Sequence, residues 1–139
     1  MTKLIINTDG GARGNPGPAG IGVVICDDQK NVLGRHKAYI GEATNNVAEY
    51  KALILALSEA LKLGAQELTV NMDSELIVRQ MQGRYKIKEP QLKLLAADVF
   101  KLSNQFSKIS FVHVKREQNQ LADELVNQAV DQAVNAKLT

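Results

Sequence analysis

The sequence predicts an α/β protein with a mixed β-sheet, and the order of its secondary-structure elements carries this prediction. Strand-like and helix-like runs follow one another in the order β-β-β-α-β-α-α-β-α. Strands separated by helices pair in parallel, whereas the opening strands indicate an antiparallel hairpin, so both kinds of pairing are expected in one sheet. With 139 residues and no repeat or linker, the chain is predicted to form a single domain over residues 1–139.

The strands are predicted from short runs rich in β-forming residues. Residues 3–8 form the first run, and the segment GARGNPGPAG that follows is so dense in Gly and Pro that it predicts turns. Residues 21–26 and 32–40 flank the polar stretch DDQKN, which predicts a hairpin, and residues 41–46 are predicted to be a polar connection. The last two predicted strands are residues 67–72 and 109–114.

The helices are predicted from apolar residues at helical spacing and from their end signals. Residues 47–63 form the longest such run, and Gly64 follows as a stop signal. Residues 74–82 suit a short helix that ends before Gly83, and Pro90 fits the first turn of a helix that runs to about Ser103. A closing amphipathic helix is expected, with an apolar stripe formed by Leu121, Ala122, Leu125, Val126, Ala129, Val130, Ala133 and Val134.

Composition narrows the class of protein. The longest apolar run, ALILALSEAL, is interrupted by Ser58 and Glu59 and is too short to span a bilayer, so no membrane partner is expected. The N-terminus reaches turn residues too soon for a signal peptide, and the single Cys26, which we expect to be buried, cannot form an intramolecular disulfide. We therefore predict a cytoplasmic protein. The net charge of +2 permits a nucleic-acid partner if the positive charge is gathered on one face.

Four acidic residues stand where this topology places functional groups. Asp9 closes the first strand, Asp73 closes the strand of residues 67–72, Glu49 lies in the first turn of the long helix and Asp123 lies early in the last helix. Each has an ordinary explanation: a turn, an N-cap, a capping-box pair with Asn46, or compensation of the helix dipole.

The combination of four acids favours a metal site. Ligand sites in open α/β sheets gather beyond strand ends, and four carboxylates brought there would repel one another unless cations bind between them. Hard divalent ions such as Mg²⁺ prefer oxygen ligands, and two such ions can clamp the attacking and leaving oxygens of a phosphodiester.

Four segments resemble, in order, the four blocks of type 1 ribonuclease H. They are TDGGARGNPGPAG, TNNVAEYKAL, MDSELIV and REQNQLADELVNQA, and each carries one of the four acids. The resemblance covers nearly the whole chain and implies a ribonuclease H-like fold, a five-stranded mixed sheet with helices on both faces. It implies that Asp9, Glu49, Asp73 and Asp123 are catalytic and bind two Mg²⁺ ions, for which Mn²⁺ can substitute. The implied reaction is hydrolysis of the RNA strand of an RNA/DNA hybrid, leaving 5′-phosphate and 3′-hydroxyl ends.

The resemblance also implies contacts with the nucleic acid. The matching positions are Gly11, Ala12, Asn15, Thr44, Asn45 and Asn46. The backbone of the first two and the asparagine pair match groups that contact RNA sugars, whose 2′-hydroxyl distinguishes RNA from DNA. The other two match residues near a phosphate of the DNA strand. From the residues alone, Asn15 is a turn residue before Pro16 and Asn46 is a helix cap, and both roles are compatible with contact.

The chain departs from the family pattern after the third block. Many relatives carry an extra helix and a basic loop there, whereas GRYKIKEPQLK leads almost directly into the next helix, as in a compact form without the basic protrusion. Arg84, Lys86 and Lys88 form a reduced basic patch around Tyr85, which either contacts the hybrid or is a solvated edge. Glu75 stands where relatives often carry a Gln that contacts RNA.

The auxiliary catalytic residue is a second departure. Relatives often place a mobile histidine in a longer loop before the last acid, but His113 lies within the predicted strand ISFVHV, where we expect a structural role. Arg116 and Glu117 stand at the strand's exit. We predict that Arg116 supplies positive charge to the phosphate. Asp9 is the predicted bridging ligand, with Glu49 and Asp73 at one metal ion and Asp123 at the other.

Two alternative functions share this fold class. A catalytically idle nucleic-acid-binding module would be expected to have lost at least one of the four acids, and all four are present. A 3′–5′ exonuclease would keep the acids, but the Gly-rich first block and the pair Asn45–Asn46 favour ribonuclease H. The predicted partner is an RNA/DNA hybrid, and the sequence gives no sign of an obligate protein partner.

Overall fold

The structure is a computed structural model that describes residues 2–137. Its strands are β1 (Lys3–Ala12), β2 (Gly17–Asp27), β3 (Val32–Ala43), β4 (Glu67–Met72) and β5 (Lys108–His113). Its α-helices are α1 (Asn45–Lys62), α2 (Glu75–Met81), α3 (Pro90–Ser103) and α4 (Gln120–Lys137), and a 3₁₀ turn spans Arg116–Gln118. The predicted order of strands and helices is confirmed.

The strands form one five-stranded sheet in the order β3-β2-β1-β4-β5 within residues 2–137. β1, β2 and β3 pair antiparallel, whereas β4 pairs parallel to both β1 and β5. The predicted mixed sheet is therefore confirmed. β1 is the central strand. It pairs antiparallel with β2 and parallel with β4, so its end lies beside both of these strands.

The two long helices cover opposite faces of the sheet, as alternation along β2 makes clear. Ile21 and Val23 point into the apolar clusters that include α1, whereas Gly20 and Gly22 face α4. A Cβ atom on Gly22 would overlap the carbonyl oxygen of Ala122, so the glycine allows α4 to pack directly on the strand. The main core lies between the sheet, α1 and α3, and α4 covers the other face.

The Gly- and Pro-rich segment differs from its prediction. Only residues 13–16 connect β1 to β2, because β1 continues to Ala12 and β2 begins at Gly17. Gly14 does lie in this short loop, with a positive φ, whereas Gly20 lies within β2 and allows α4 to pack closely on the strand. The predicted connection of residues 41–46 is likewise mostly strand and helix, since β3 runs to Ala43 and α1 begins at Asn45.

Two side chains are more exposed than the sequence pattern indicates. Leu121, expected in the apolar stripe of the last helix, is 50% exposed, whereas the next residue, Ala122, is buried where α4 packs on Gly22. Cys26 is only partly buried, since it lies at the end of β2 and lines a surface cavity together with Leu121. Both predictions of burial at these positions are therefore wrong.

The helix ends correct two further predictions. Thr44 is the N-cap of α1, and its hydroxyl accepts the Val47 N–H at 3.2 Å, so Asn46 is not the cap and Glu49 lies in the second turn instead of the first. Ser74 caps α2, which leaves Asp73 free of that role. Gly64 and Gly83 take positive φ angles after α1 and α2, as their predicted stop roles require.

The segment between α2 and α3 confirms the compact form. α2 ends at Met81 and α3 begins at Pro90, so no further helix stands between them in this described part of the chain. Over residues 2–137, no helix is long and apolar enough to cross a membrane.

Candidate active site

Three of the four predicted acids meet at one edge of the sheet. One carboxylate oxygen each of Asp9, Glu49 and Asp73 lies within 4.8 Å of the others. The pairing of β1 with β4 ends at Asn7 and Asn71, so Asp9 and Asp73 leave the paired region of two parallel neighbours at the same edge. This explains why two acids 64 positions apart in sequence come together.

Glu49 reaches the same edge from α1, which packs on the opposite face of β1 from α4. A Cβ atom on Gly10 would overlap the backbone of Ala48, so this glycine allows α1 to pack against β1 beside Asp9. The Gly10 N–H donates to Glu49 Oε1 at 2.5 Å and fixes the side chain. Glu49 is buried. Its position depends on the close packing of α1 on β1 that Gly10 allows, as the packing of α4 on β2 depends on Gly22.

Asp123 approaches from α4 on the other face. It lines the same cavity as Asp9 and Asp73, and its charge helps to raise the pKa of Asp9. It does not belong to the group of three whose oxygens lie within 4.8 Å of one another. Asp9 therefore has all three other acids near it: Glu49 and Asp73 in the group of three, and Asp123 close enough for its charge to act on Asp9.

The electrostatics of this edge are unfavourable without a cation. Burial, followed by the charge of Asp73 and the proximity of Asp123, raises the pKa of Asp9 to about 7. Burial and the charge of Asp9 raise the pKa of Glu49 well above its usual range, although the Gly10 N–H acts in the opposite direction. Buried carboxylates that repel one another are suited to a hard divalent cation, which prefers oxygen ligands. The donor set present therefore fits ions of the Mg²⁺ class.

Asp9, Asp73 and Asp123 border an open cavity of about 460 Å³, whereas Glu49 is buried and does not line it. Arg116, in the 3₁₀ turn after β5, lies on its wall. Glu117 lines a different cavity, and His113 is the last residue of β5, where its side chain is exposed. His113 lies in the strand, as predicted. Its side chain is exposed, however, so it has no buried packing that would support the predicted structural role. Of these three residues, Arg116 alone lines the carboxylate cavity.

The predicted nucleic-acid positions form a connected group beside the acids. Gly11, Ala12 and Asn45 line the carboxylate cavity. Asn45 Oδ1 accepts the Ala12 N–H at 2.8 Å, and the Asn45 N–H donates to Asn15 Oδ1 at 3.0 Å. These bonds tie the end of β1, the loop of residues 13–16 and the start of α1 into one fixed unit.

The basic patch borders a neighbouring cavity. Arg84, Lys86 and Lys88 line it together with Asn46 and Tyr85, so the patch lies next to the N-terminus of α1. The Gln80 side chain supports this segment by donating to the Lys86 carbonyl at 3.4 Å, and Gln80 in turn accepts the Tyr50 hydroxyl at 2.6 Å. Glu75 borders neither of the two cavities and lies 4.0 Å from Arg79 on its own helix.

Sequence reasoning misses two polar residues of the carboxylate cavity. Asn127 lines it because it stands four positions after Asp123 on the same face of α4, a spacing that was readable from the sequence. Arg13 also lines it, with its guanidinium 2.6 Å from Asp131 Oδ1. No sequence pattern indicates this ion pair, since its partners lie in a loop and a distant helix.

An acid on the central strand β1, a second acid just after the neighbouring strand β4, and further acids on helices that cover both faces define the class of ribonuclease H-like proteins with a carboxylate site. Residues 7–129 match the family described as reverse transcriptase-like. The chain belongs to this family, and its resemblance to type 1 ribonuclease H in its compact form is confirmed.

Named relatives support this membership. The chain is 50% identical over 135 residues to the bifunctional protein Rv2228c of Mycobacterium tuberculosis, covering 96% of this chain and 37% of that protein. The solved N-terminal RNase H domain of Rv2228c has a TM-score of 0.95 at 48% identity and is covered to 99%, as is this chain. This chain thus spans little more than a third of the full mycobacterial relative.

Two further proteins are similar over most of the chain. LC11-RNase H1, isolated from compost and solved in complex with an RNA/DNA hybrid, is 57% identical with a TM-score of 0.90, over 94% of this chain and 99% of that chain. Ribonuclease HI of Halobacterium salinarum is 38% identical over 125 residues, 90% of this chain and 63% of that protein. The fold class predicted from sequence agrees with these structures.

Proposed function

We propose that this chain is a metal-dependent endoribonuclease that hydrolyses the RNA strand of RNA/DNA hybrids and leaves 5′-phosphate and 3′-hydroxyl ends. The observation that carries the proposal is the convergence of the Asp9, Glu49 and Asp73 carboxylates next to an open cavity, which is lined by Asp9, Asp73, Asp123 and Arg116. The relative LC11-RNase H1 was solved with an RNA/DNA hybrid, which supports the same substrate here. A cytoplasmic location remains a prediction from the sequence.

The metal ligands in this proposal are Asp9, Glu49, Asp73 and Asp123. Two Mg²⁺ ions, for which Mn²⁺ can substitute, would supply Lewis acidity and lower the pKa of water at this edge. The position of Asp9 near all three other acids suits a ligand shared by both ions. The raised pKa of Asp9 means that part of its population carries a proton near neutral pH without metal, so metal binding and proton release are coupled.

The other residues of the cavity bind and orient the substrate. Arg116 offers a planar, permanently charged guanidinium that can donate to two phosphate oxygens at once. The fixed unit around Asn45 and Ala12 presents backbone and amide groups at the rim, where a ribose 2′-hydroxyl can be read. Such preorganised groups add binding energy without reorganising during the reaction.

The basic patch provides further contacts with phosphates of the hybrid. Arg84, Lys86 and Lys88 lie beside Asn46, so one duplex strand held near the acids leaves the other strand near this patch. Few cations are available, because the compact form lacks the basic protrusion. Binding should therefore be weak and should depend strongly on salt, since phosphate contacts release counterions.

The activity can be tested with one fluorescent hybrid beside matched duplex RNA and duplex DNA. We expect internal cleavage of the RNA strand of the hybrid with Mg²⁺ or Mn²⁺, none with a chelator, and products that are substrates for 5′-phosphate-dependent ligation. The Asp9→Asn variant serves as the matched control. Folded protein that leaves the hybrid intact with both metals would contradict the proposal. Stepwise shortening of a DNA strand from its 3′ end would instead identify an exonuclease.

A further inference from the structure

A second polar cluster, partly buried, lies directly beside the acids. Asn7 on β1 uses its side-chain amide to donate to Asn119 Oδ1 at 3.0 Å and to the Gln118 carbonyl at 3.2 Å. Asn71 on β4 donates to Asn7 Oδ1 at 3.3 Å. Asn119, only 1% exposed, donates to the Thr8 carbonyl at 2.9 Å. We refer to Asn7, Asn71 and Asn119 as the asparagine network.

Each member of this network stands close along the chain to an acid of the cavity. Asn7 precedes Asp9 by two positions in β1, so both side chains lie on the face that α4 covers. Asn71 precedes Asp73 by two positions at the end of β4. The network therefore connects the same two strands that carry the acids, one pleat further from the edge.

Asn119 has a special place because it joins two cavity residues. Its N–H donates to the Arg116 carbonyl at 3.0 Å, and its carbonyl accepts the Asp123 N–H at 3.1 Å. Asn119 thus ends the 3₁₀ turn that carries Arg116 and precedes the helix that carries Asp123. The segment of residues 116–123 follows β5, whose pairing with β4 ends at His113, so the ladder of the sheet does not hold it.

We propose that Asn119, held by Asn7, is a positioning residue that fixes the segment of residues 116–123 against β1, so that Arg116 and Asp123 face Asp9. This inference rests on the proposed function, because it assigns a role in the same reaction. Arg116 is exposed and Asp123 is partly exposed, so neither is placed by its own packing. The packing of Ala122 on Gly22 holds α4 itself, and Asn119 anchors to β1 the chain just before α4, between Arg116 and Asp123, against the repulsion between Asp123 and Asp9.

The first test compares Asn119→Ala, Asn7→Ala and the double variant in the full chain. We expect Asn119→Ala to lower kcat on the hybrid by about 10–100-fold, the range for residues that orient metal ligands. Hybrid affinity without divalent metal should change little, since the basic patch is untouched. The double variant should be no slower than Asn119→Ala alone, because both substitutions act through one segment. Asn119→Asp keeps the acceptor for Asn7 but loses the donor to Thr8, so it should recover little of the rate.

A matched control separates positioning from stability. Val99 is fully buried in α3 and lines neither the carboxylate cavity nor the patch cavity, so Val99→Ala should lower the melting temperature and leave kcat unchanged where the protein is folded. If Asn119→Ala lowers only the melting temperature, as Val99→Ala does, Asn119 is structural and the inference is wrong. If Asn119→Ala does not fold, Asn7→Ala decides the question, because it leaves the bond from Asn119 to Thr8 in place.

A second measurement does not depend on activity. Hydrogen exchange of the Asp123 amide in the metal-free protein should be faster in Asn119→Ala than in wild type, and unchanged in Val99→Ala. Equal exchange in all three proteins would overturn the inference even if the hybrid is cleaved. Conversely, wild-type protein that leaves the hybrid intact but shows the expected exchange would contradict the proposed function and retain the anchoring role.

Discussion

The carboxylate group and the asparagine network lie one pleat apart on the same two strands, yet the polar side chains of the network find hydrogen-bond partners whereas the acids repel one another. In the asparagine network, the amide groups of Asn7 and Asn119 donate to oxygens at 2.9–3.2 Å. Among the acids, Asp9 and Glu49 face each other with raised pKa values, and no lysine or arginine forms an ion pair with either in the described part of the chain.

The difference shows where this protein gives up stability. Paired amides around the buried Asn119 stabilise one arrangement, because these donors meet acceptors. Carboxylates that repel one another destabilise the metal-free fold, and such groups are typical of sites where a ligand supplies the missing charge. The asparagine network therefore holds the backbone in place, whereas the acids carry negative charge that a bound cation can neutralise.

The largest expected effect comes from Asp9→Asn. A neutral amide cannot serve as an anionic ligand among the acids, so cleavage of the hybrid should fall to background. The same change removes repulsion, so the metal-free melting temperature should hold or rise. Gel assays and thermal denaturation without metal measure the two effects. Cleavage within about tenfold of wild type would contradict the metal assignment, and a clear loss of stability would make Asp9 structural.

Arg116→Ala should have the next largest effect. Loss of one preorganised electrostatic contact typically costs about 10²–10³ in turnover, so single-turnover cleavage should slow by that much, with hybrid affinity changed far less. Arg116→Lys should recover only part of the rate, because an ammonium cannot donate as a planar fork. Exposed His113 is the control: His113→Ala should change neither rate nor stability appreciably. A folded His113→Ala variant that loses activity while Arg116→Ala keeps it would reverse these roles.

A smaller effect is expected at the surface, where charge is solvated and not buried. Replacing Arg84, Lys86 and Lys88 together with Ala should weaken hybrid binding and flatten its dependence on salt, with little effect on single-turnover cleavage at saturation. The measurement is a binding titration at several salt concentrations. A control with the same change in net charge replaces Lys62, Lys101 and Lys108. Identical salt slopes for both triple variants would show that the patch is only a solvated edge.

The smallest expected effect is a pH dependence of stability. The folded pKa of Asp9 is about 7 and its ordinary value is 3.8, so the folded state binds this proton more tightly than the unfolded state. Stability from this group is therefore present at low pH and is lost as pH rises from about 4 to about 7. The gain in melting temperature of Asp9→Asn over wild type should grow across this range without metal. A gain that is constant with pH would contradict the shift.

The four acids could be singled out in the sequence because each stands in one of the four blocks that resemble type 1 ribonuclease H. Three of them, Asp9, Asp73 and Asp123, stand beside a strand or helix signal in the sequence. The turn of α1 that carries Glu49 was not readable, since Thr44 and Asn46 are both good caps and only the bond to the Val47 N–H decides between them. The extent of β1 and β2 was mispredicted because glycine suggests turns locally, whereas Gly20 and Gly22 admit α4.

The sequence by itself predicted the order of the elements and the mixed sheet, because hydrophobic periodicity and turn residues act over a few positions, and its resemblance to type 1 ribonuclease H singled out the four acids. The tertiary structure alone decided that Asp9, Glu49 and Asp73 meet within 4.8 Å, that Arg116 and not His113 borders them, and that Asn119 binds to β1. Those distances depend on how closely the helices approach the sheet at Gly10 and Gly22. Such approach is set by packing between residues distant in sequence, which no local pattern encodes.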